Sequence, residues 1–192
     1  MTGDDSILDV GCGNNKRHPE AVGMDIREYE DVDVVHDVNE TPWPFDDGRF
    51  DRVLAYSVLE HVPDLPAVLG EIHRISKPGA LLEGKVPHWK DRNAYIDPTH
   101  VGRVLGRLPD GTETTFPWPL SELVDSYYGE FEPRATLVCG FDERTFDFWD
   151  PTTEMGQRGY FEEEFRVRDA DRIRRVRFWE SRPVEFTLEV RK

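Results

Sequence analysis

A chain of 192 residues with 39 acidic against 24 basic side chains, a formal charge of -15 and a pI near 4.8 repels nucleic-acid backbones and anionic membrane surfaces. The length suits one domain, 1–192, with an ordinary core, and 38% hydrophobic with 11% aromatic residues is too apolar for a disordered chain. No stretch has the apolar length of a membrane span, the opening MTGDDS lacks the regions of a signal peptide, and Cys12 and Cys139 are too few for a disulfide-stapled secreted fold, so a cytoplasmic protein with reduced thiols is expected.

Ile7 to Val10 is a short apolar run that stops at Gly11, and Ala21 to Ile26 is a second, bounded by Pro19 and Arg27. Both read as buried strands. DVDVVHDV at 31–38 alternates like a third strand, and FDRVLAYSVL at 50–59, after the turn signal DDG at 46–48, reads as a fourth. Leu65, Val68, Leu69, Ile72 and Ile75 then fall at helical spacing, with KPG at 77–79 as the stop signal and ALLEGKVP at 80–87 as a fifth strand. Strands alternating with crossovers predict an α/β fold: a Rossmann-like, open, mostly parallel sheet. Residues 1–87 form the ligand-binding half. Residues 88–135, rich in Pro, Gly and aromatics with one helix candidate at 120–129, are expected to lie over the carboxyl edge of the sheet, where such segments carry specificity. Residues 172–192 hold two β-rich runs around Ser181 to Pro183 and predict an antiparallel hairpin at the sheet edge. RIRRVR at 172–177 is expected to pair with surrounding acids rather than with RNA.

A strand that runs into Gly11-Cys12-Gly13 lets a ligand approach the backbone at the carboxyl ends of parallel strands. The dinucleotide pattern G-x-G-x-x-G is not completed, because Lys16 occupies the third glycine position and Asp25 comes sooner than the roughly twenty-residue spacing of that motif. A nicotinamide-dependent oxidoreductase is therefore a weak alternative. Asp9, immediately before the turn, repels a phosphate and attracts a cation, which points to a ligand bearing positive charge and a ribose. The stretch from Gly13 to Ala21 is too short for a helical crossover, which needs roughly ten to twelve residues. A shortened first crossover made of turns is expected.

The ordered set ILDVGCGNN, VGMDI, VVHDV, PWPFDDGRFDRVLAYSVLEHVPD and EIHRISKPGALLEGKVP, across residues 6 to 100, resembles the class I S-adenosylmethionine-dependent methyltransferases, especially their small type-11 group. The resemblance implies S-adenosyl-L-methionine as cofactor and a small-molecule or glycan-type acceptor methylated at oxygen or nitrogen. It further implies that Gly11, Cys12 and Gly13 close on the methionine part, that Asp9 supports the turn and faces the cationic end, and that Asp25 accepts hydrogen bonds from the ribose hydroxyls. Ile26 would pack on the adenine, with Asp37 and Val38 at its polar edge. Ser57 would contact the methionine portion with His61 nearby, and Lys16 is either a candidate partner for the cofactor carboxylate or a solvated surface lysine.

For the acceptor, PHWKDRNAYIDPTHV at 87–101 offers His88, Asp97 and His100; DPTH also recurs in relatives of the type-11 group. His100 is the candidate base or acceptor-orienting group, with Asp97 fixing its ring. Asp97-Pro98-Thr99 reads equally as a turn or helix cap. His88, Asp97 and His100 are suitable ligand types but lack a tight metal spacing, so no metal is expected. Phe146, Phe148 and Trp149 belong to a group of aromatics that either wall an acceptor pocket or pack in the core. Residues 88–171 would form the acceptor-site cover. The first strand lies almost at the start of the chain, so the N-terminal cover helices usual in this family are expected to be absent. The methionine end is then open, or closed by the 88–135 segment or by a second copy in a homodimer. A non-catalytic cofactor-binding regulatory module is the alternative to an enzyme. Arg in place of Lys together with the acid surplus suits a halophilic protein solvated in brine, the other reading being an acidic interaction surface.

Overall fold

Short apolar runs build a sheet whose strands are set by period-two alternation. In chain order they are β1 (Ile7–Val10), β2 (Val22–Asp25), β3 (Val34–Val35), β4 (Phe50–Tyr56), β5 (Ser76–Val86), β6 (Gly102–Arg107), β7 (Glu113–Trp118), β8 (Glu132–Leu137), β9 (Glu164–Arg172) and β10 (Val184–Arg191), with one α-helix, α1 (Leu65–Ile75), among the described residues. The structure, a computed structural model, describes residues 6–88, 100, 141–170 and 183–192, and the backbone alone of 102–107, 113–118, 132–137 and 171–172.

The main sheet has the order β3-β2-β1-β4-β5-β10-β9. β1 to β5 run parallel, and β10 is antiparallel to both β5 and β9. The chain therefore steps outward from β1 to β3, then crosses back to place β4 on the other side of β1. That reversal makes the carboxyl ends of β1 and β4 a topological switch point, where open α/β sheets usually bind their ligands.

As the spacing predicts, β1 and β2 are joined by turns without a helix. The β2–β3 and β3–β4 connections, 26–33 and 36–49, also contain no helix. α1 starts where Asp64 accepts the Ala67 N–H at 3.1 Å and Pro66 occupies the first turn. Val68, Leu69, Ile72 and Ile75 form its buried stripe against the sheet. Leu8, Val10, Met24, Val53, Ala55 and Leu82 face the same core. On the opposite face of the sheet, among the described residues, Ile7, Ala21 and Leu54 cluster beside Tyr56. Arg17 lies over the Tyr56 ring at 3.9 Å, and Arg52 pairs with Glu83 at 2.9 Å.

Several boundaries differ from expectation. Only Val34–Val35 of the 31–38 run pairs as a strand. β4 stops at Tyr56 rather than Leu59, because Ser57 turns the chain at φ 59. α1 passes into β5 at Ser76, so KPG does not end the helix. It forms an excursion with Gly79 at φ 81, before regular pairing of Leu81–Lys85 with Arg52–Tyr56. The antiparallel edge pair is present, but its first arm begins at Glu164, ahead of the expected 172. β6, β7 and β8 form a separate antiparallel sheet, order β7-β6-β8, within the 88–171 segment, where the sequence reading places no strand. The helix candidate at 120–129 lies outside the described residues, as do 173–177 of the basic run.

Candidate functional site

β1 ends in Gly11 at φ 64, followed by Gly13 at φ 58. The Gly11 N–H donates to the Met24 carbonyl at 2.8 Å, tying the turn to β2. A Cβ on Gly11 would stand 2.9 Å from Cγ2 of Val58, so conformation and space both require glycine there. Asp25, at the end of β2, closes the same turn from outside: its Oδ2 accepts the Gly13 N–H at 2.9 Å and its Oδ1 accepts the Arg27 N–H at 3.0 Å. A carboxylate oxygen has two lone pairs, so each keeps capacity for a further donor. Ile26 beside it is 60% exposed and Val35 is 55% exposed, leaving an apolar step at the tips of β2 and β3. Asp37 accepts both the backbone and side-chain amides of Asn39 at 2.9 Å, and the Val38 carbonyl accepts the Trp43 indole N–H at 3.0 Å.

The short first crossover lies against the sheet face that carries Ile7, Ala21, Leu54 and Tyr56. Asp9, 2% exposed, accepts the Arg17 N–H at 2.7 Å, which pins that loop. Burial pushes the Asp9 carboxyl above its ordinary value against the Arg17 hydrogen bond and the nearby Arg17 and Lys16 charges. Cys12 and Lys16 pass over Gly23, where a Cβ would meet the Asp31 carbonyl at 2.5 Å, the Cys12 Sγ at 2.8 Å and the Lys16 Cδ at 2.9 Å. Burial, with the Asp9 and Asp25 carboxylates, pushes the Cys12 thiol up to about 11, so it stays protonated and is no nucleophile at neutral pH.

Lys16 is held by an ion pair. Its ammonium sits 2.9 Å from Asp33 Oδ2, and that same oxygen accepts the Gly23 N–H at 2.7 Å. The hydrogen bond to Asp33 keeps the Lys16 ammonium above its ordinary value. The side chain thus ties β2 to the 31–33 loop.

At the end of β4, the exposed Ser57 holds a left-handed backbone and donates its N–H to the Lys85 carbonyl at 2.8 Å. Such a conformation at a non-glycine residue costs energy and clusters at functional sites. A single 3-10 turn, Leu59–His61, follows. Glu60 in it is 5% exposed, and the His61 ring meets the ring of His100 edge-on, with centroids 4.7 Å apart. His100 is itself 8% exposed. The structure thus brings His100 to Glu60 and His61. His88, buried at the end of β5, bridges to Phe141 and places Nε2 3.6 Å from Glu143 Oε2. Asp97 lies outside the described residues. Glu60 is not singled out by the sequence reading, although it stands in the quoted LEHVPD stretch; only the approach of residue 100 gives it meaning.

The aromatics divide. Phe146 is core, packed on Phe186 with centroids 4.3 Å apart. Trp149, stacked on Phe161 at 4.2 Å, joins Phe148, Tyr160, Asp142 and Arg144 around an open cleft of about 730 Å³.

Residues 3–146 match the family described as Methyltransferase domain. Among curated proteins, the chain is 30% identical over 128 residues to the demethylmenaquinone methyltransferase of Listeria monocytogenes serotype 4a, covering 63% of this chain and 51% of that protein. The chain thus spans about half the length of the curated relatives it matches. Among solved structures, an S-adenosylmethionine-dependent methyltransferase of Methanosarcina mazei superposes with a TM-score of 0.53 at 20% identity, covering 100% of this chain and 94% of that one. The 1,6-didemethyltoxoflavin-N1-methyltransferase of Burkholderia thailandensis, solved with bound 1,6-didemethyltoxoflavin and S-adenosylhomocysteine, superposes with a TM-score of 0.51 at 16% identity, covering 97% of this chain and 71% of that one.

Proposed function

The chain belongs to the class I S-adenosylmethionine-dependent methyltransferases, and from that premise we propose that it transfers the methyl group of S-adenosylmethionine to oxygen or nitrogen of a small-molecule acceptor held over the tips of β4 and β5. The observation that carries this reading is the glycine turn latched to Asp25 beside the β1–β4 switch point. A ribose diol donates to the remaining lone pairs of the Asp25 carboxylate, a charged acceptor that makes strong bonds. The adenine rests on exposed Ile26 with Asp37 and Val38 at its edge. The methionine part follows the backbone of Gly11, Cys12 and Gly13 toward Ser57. Asp9, buried beneath the turn, favours a positive sulfonium over a phosphate.

Transfer is an in-line displacement: an acceptor lone pair forms the new bond to the methyl carbon as the carbon–sulfur bond breaks, the sulfonium leaves as a neutral thioether, and the proton of an O–H or N–H acceptor passes to the His100 imidazole or to solvent. The protein's part is to align the two partners. His100, with His61 against it, orients the acceptor, and His88 closes the neighbouring strand end. The Listeria relatives carry a quinone-type substrate in their name, which together with the aromatic character of 88–171 supports a flat, largely apolar acceptor over a glycan. The acid-rich surface supports work at high salt, in the cytoplasm.

Calorimetric titration of S-adenosylmethionine tests the reading. Wild type should bind with enthalpy change and saturate at one equivalent, and Asp25→Ala should weaken binding about 10- to 100-fold, the loss of two charge-assisted hydrogen bonds. Equal affinity in the two proteins overturns it. A donor-consumption assay across phenols, hydroquinones, amines and glycans then separates an enzyme from a regulatory module, which would bind the cofactor and turn over none of them.

A further inference from the structure

We propose that Glu60, His61 and His100 form a site for one divalent transition-metal ion of the zinc type. The ligating atoms of these three side chains all lie within 4.8 Å of one another, and among the described residues no other trio of His, Cys, Asp or Glu is so gathered. Around a tetrahedral ion with ligand distances near 2.1 Å, ligand atoms stand about 3.4 Å apart. The observed spread exceeds that by little more than an ångström, which rotation about side-chain bonds can close.

The donor set selects the ion. Two imidazoles and one carboxylate suit zinc, and more generally the later first-row divalent ions, whereas magnesium and calcium favour oxygen alone. Three protein ligands also leave a fourth position open, the pattern of sites that bind an exchangeable oxygen or nitrogen. Burial agrees with this. Glu60 and His100 lie inside, where a carboxylate attracts a cation through a low dielectric, while His61 is half-buried and leaves one side reachable. The cluster comes directly after Ser57 and Val58, and Val58 packs against Gly11. An acceptor atom held at the open position therefore sits next to the cofactor turn. This use of the ion rests on the methyl-transfer reading; its binding does not.

The test uses the full chain, treated with a chelator, dialysed, and titrated with Zn²⁺ and separately with Co²⁺. The expected results are one equivalent of zinc by elemental analysis and a visible Co²⁺ absorption band of tetrahedral intensity. Glu60→Gln, His61→Ala and His100→Ala should each weaken zinc binding at least tenfold and alter the Co²⁺ band. His61→Ala is the variant least able to disturb the core, and circular dichroism checks the fold of all three. Less than a tenth of an equivalent of bound zinc, or a Co²⁺ spectrum identical in the folded variants, overturns the site. S-adenosylmethionine titration on the same samples keeps the two proposals apart: cofactor bound without metal overturns the metal site alone, and metal bound without cofactor supports it while the methyl-transfer reading fails.

Discussion

At Gly23 and Ser57 backbone geometry dictates what the chain can place at the site. Gly23 leaves the space through which Cys12 and Lys16 cross the sheet, and the nearest atom to an added Cβ is a backbone carbonyl that cannot swing away. Gly23→Ala should therefore cost about 1–3 kcal/mol, the range of core overpacking, seen as a lower urea midpoint with weaker cofactor binding. Ser57 presents the opposite case. Ser57→Gly should leave stability within about 0.5 kcal/mol, since relief of the left-handed backbone offsets the entropy of glycine, whereas Ser57→Val should cost about 1–2 kcal/mol. Equal midpoints for the two variants would refute the strain. The residues of the glycine turn, Asp9 and Asp25 are legible in the sequence because they are close neighbours whose spacing encodes their contacts. Glu60 is not, since its partner His100 lies forty positions away and only the fold brings them together. The pairing of Lys16 with Asp33 is hidden for a related reason, since no local motif links two residues of separate crossovers.

Among the elements, α1 is the most legible, because an eleven-residue amphipathic stripe with an Asp cap carries both its type and its start. Its end is less so, as helix and strand meet at Ser76 without a break. β6 and β7 are obscured by Gly102, Gly106 and Pro117, residues that weaken strands, and Pro117 is tolerated because β7 is an edge strand. β9 is hidden by alternating charges rather than apolar residues. The polar side of α1 also organises the chain before β4. Arg74 donates to the carbonyls of Trp43 (3.1 Å) and Phe45 (2.9 Å) and pairs with Asp47 (2.6 Å) and Glu71 (2.8 Å), while Glu71 accepts the Trp43 N–H at 2.6 Å. Removing that guanidinium strands a half-buried carboxylate and two carbonyls, so Arg74→Ala should lose about 2–4 kcal/mol. Burial works to raise the Glu71 carboxyl, but the Arg74 hydrogen bond, the Trp43 N–H and the Arg74 charge together hold it below its ordinary 4.5. A carboxyl depressed on folding contributes stability that is complete above its unfolded value and is lost as pH falls through the folded one. The difference in urea midpoint between wild type and Glu71→Gln should therefore be constant above pH 4.5 and shrink below it; a difference unchanged down to pH 3 would contradict the coupling.

Over the whole molecule, charge sets the conditions under which these elements stay together. With 39 acids against 24 bases in 192 residues, the average exposed acid sees more repulsion than attraction, and compaction on folding brings those charges closer. Attractive pairs do exist on the sheet and its loops, such as Arg52–Glu83 and Lys16–Asp33. Exposed pairs of this kind are each worth under about 1 kcal/mol, and salt weakens them too. The two effects act over different distances. Contact pairs near 2.9 Å survive screening better than repulsions spread over tens of ångströms, because the Debye length is about 10 Å at 0.1 M and about 3 Å at 1 M. Added salt should thus remove more repulsion than attraction, and Tm should rise by roughly 5–10 °C between 0.1 and 2 M KCl, a gain of about 2–3 kcal/mol for a domain of this size. Most of the rise belongs below 1 M if screening causes it. Guanidinium chloride at 0.1–0.3 M discriminates further, since it screens charge yet is not excluded from protein surfaces as stabilising salts are. In a low-salt buffer those small additions should raise Tm before higher concentrations lower it. A Tm that is flat or falling in KCl would mean that local pairs, not net repulsion, govern stability.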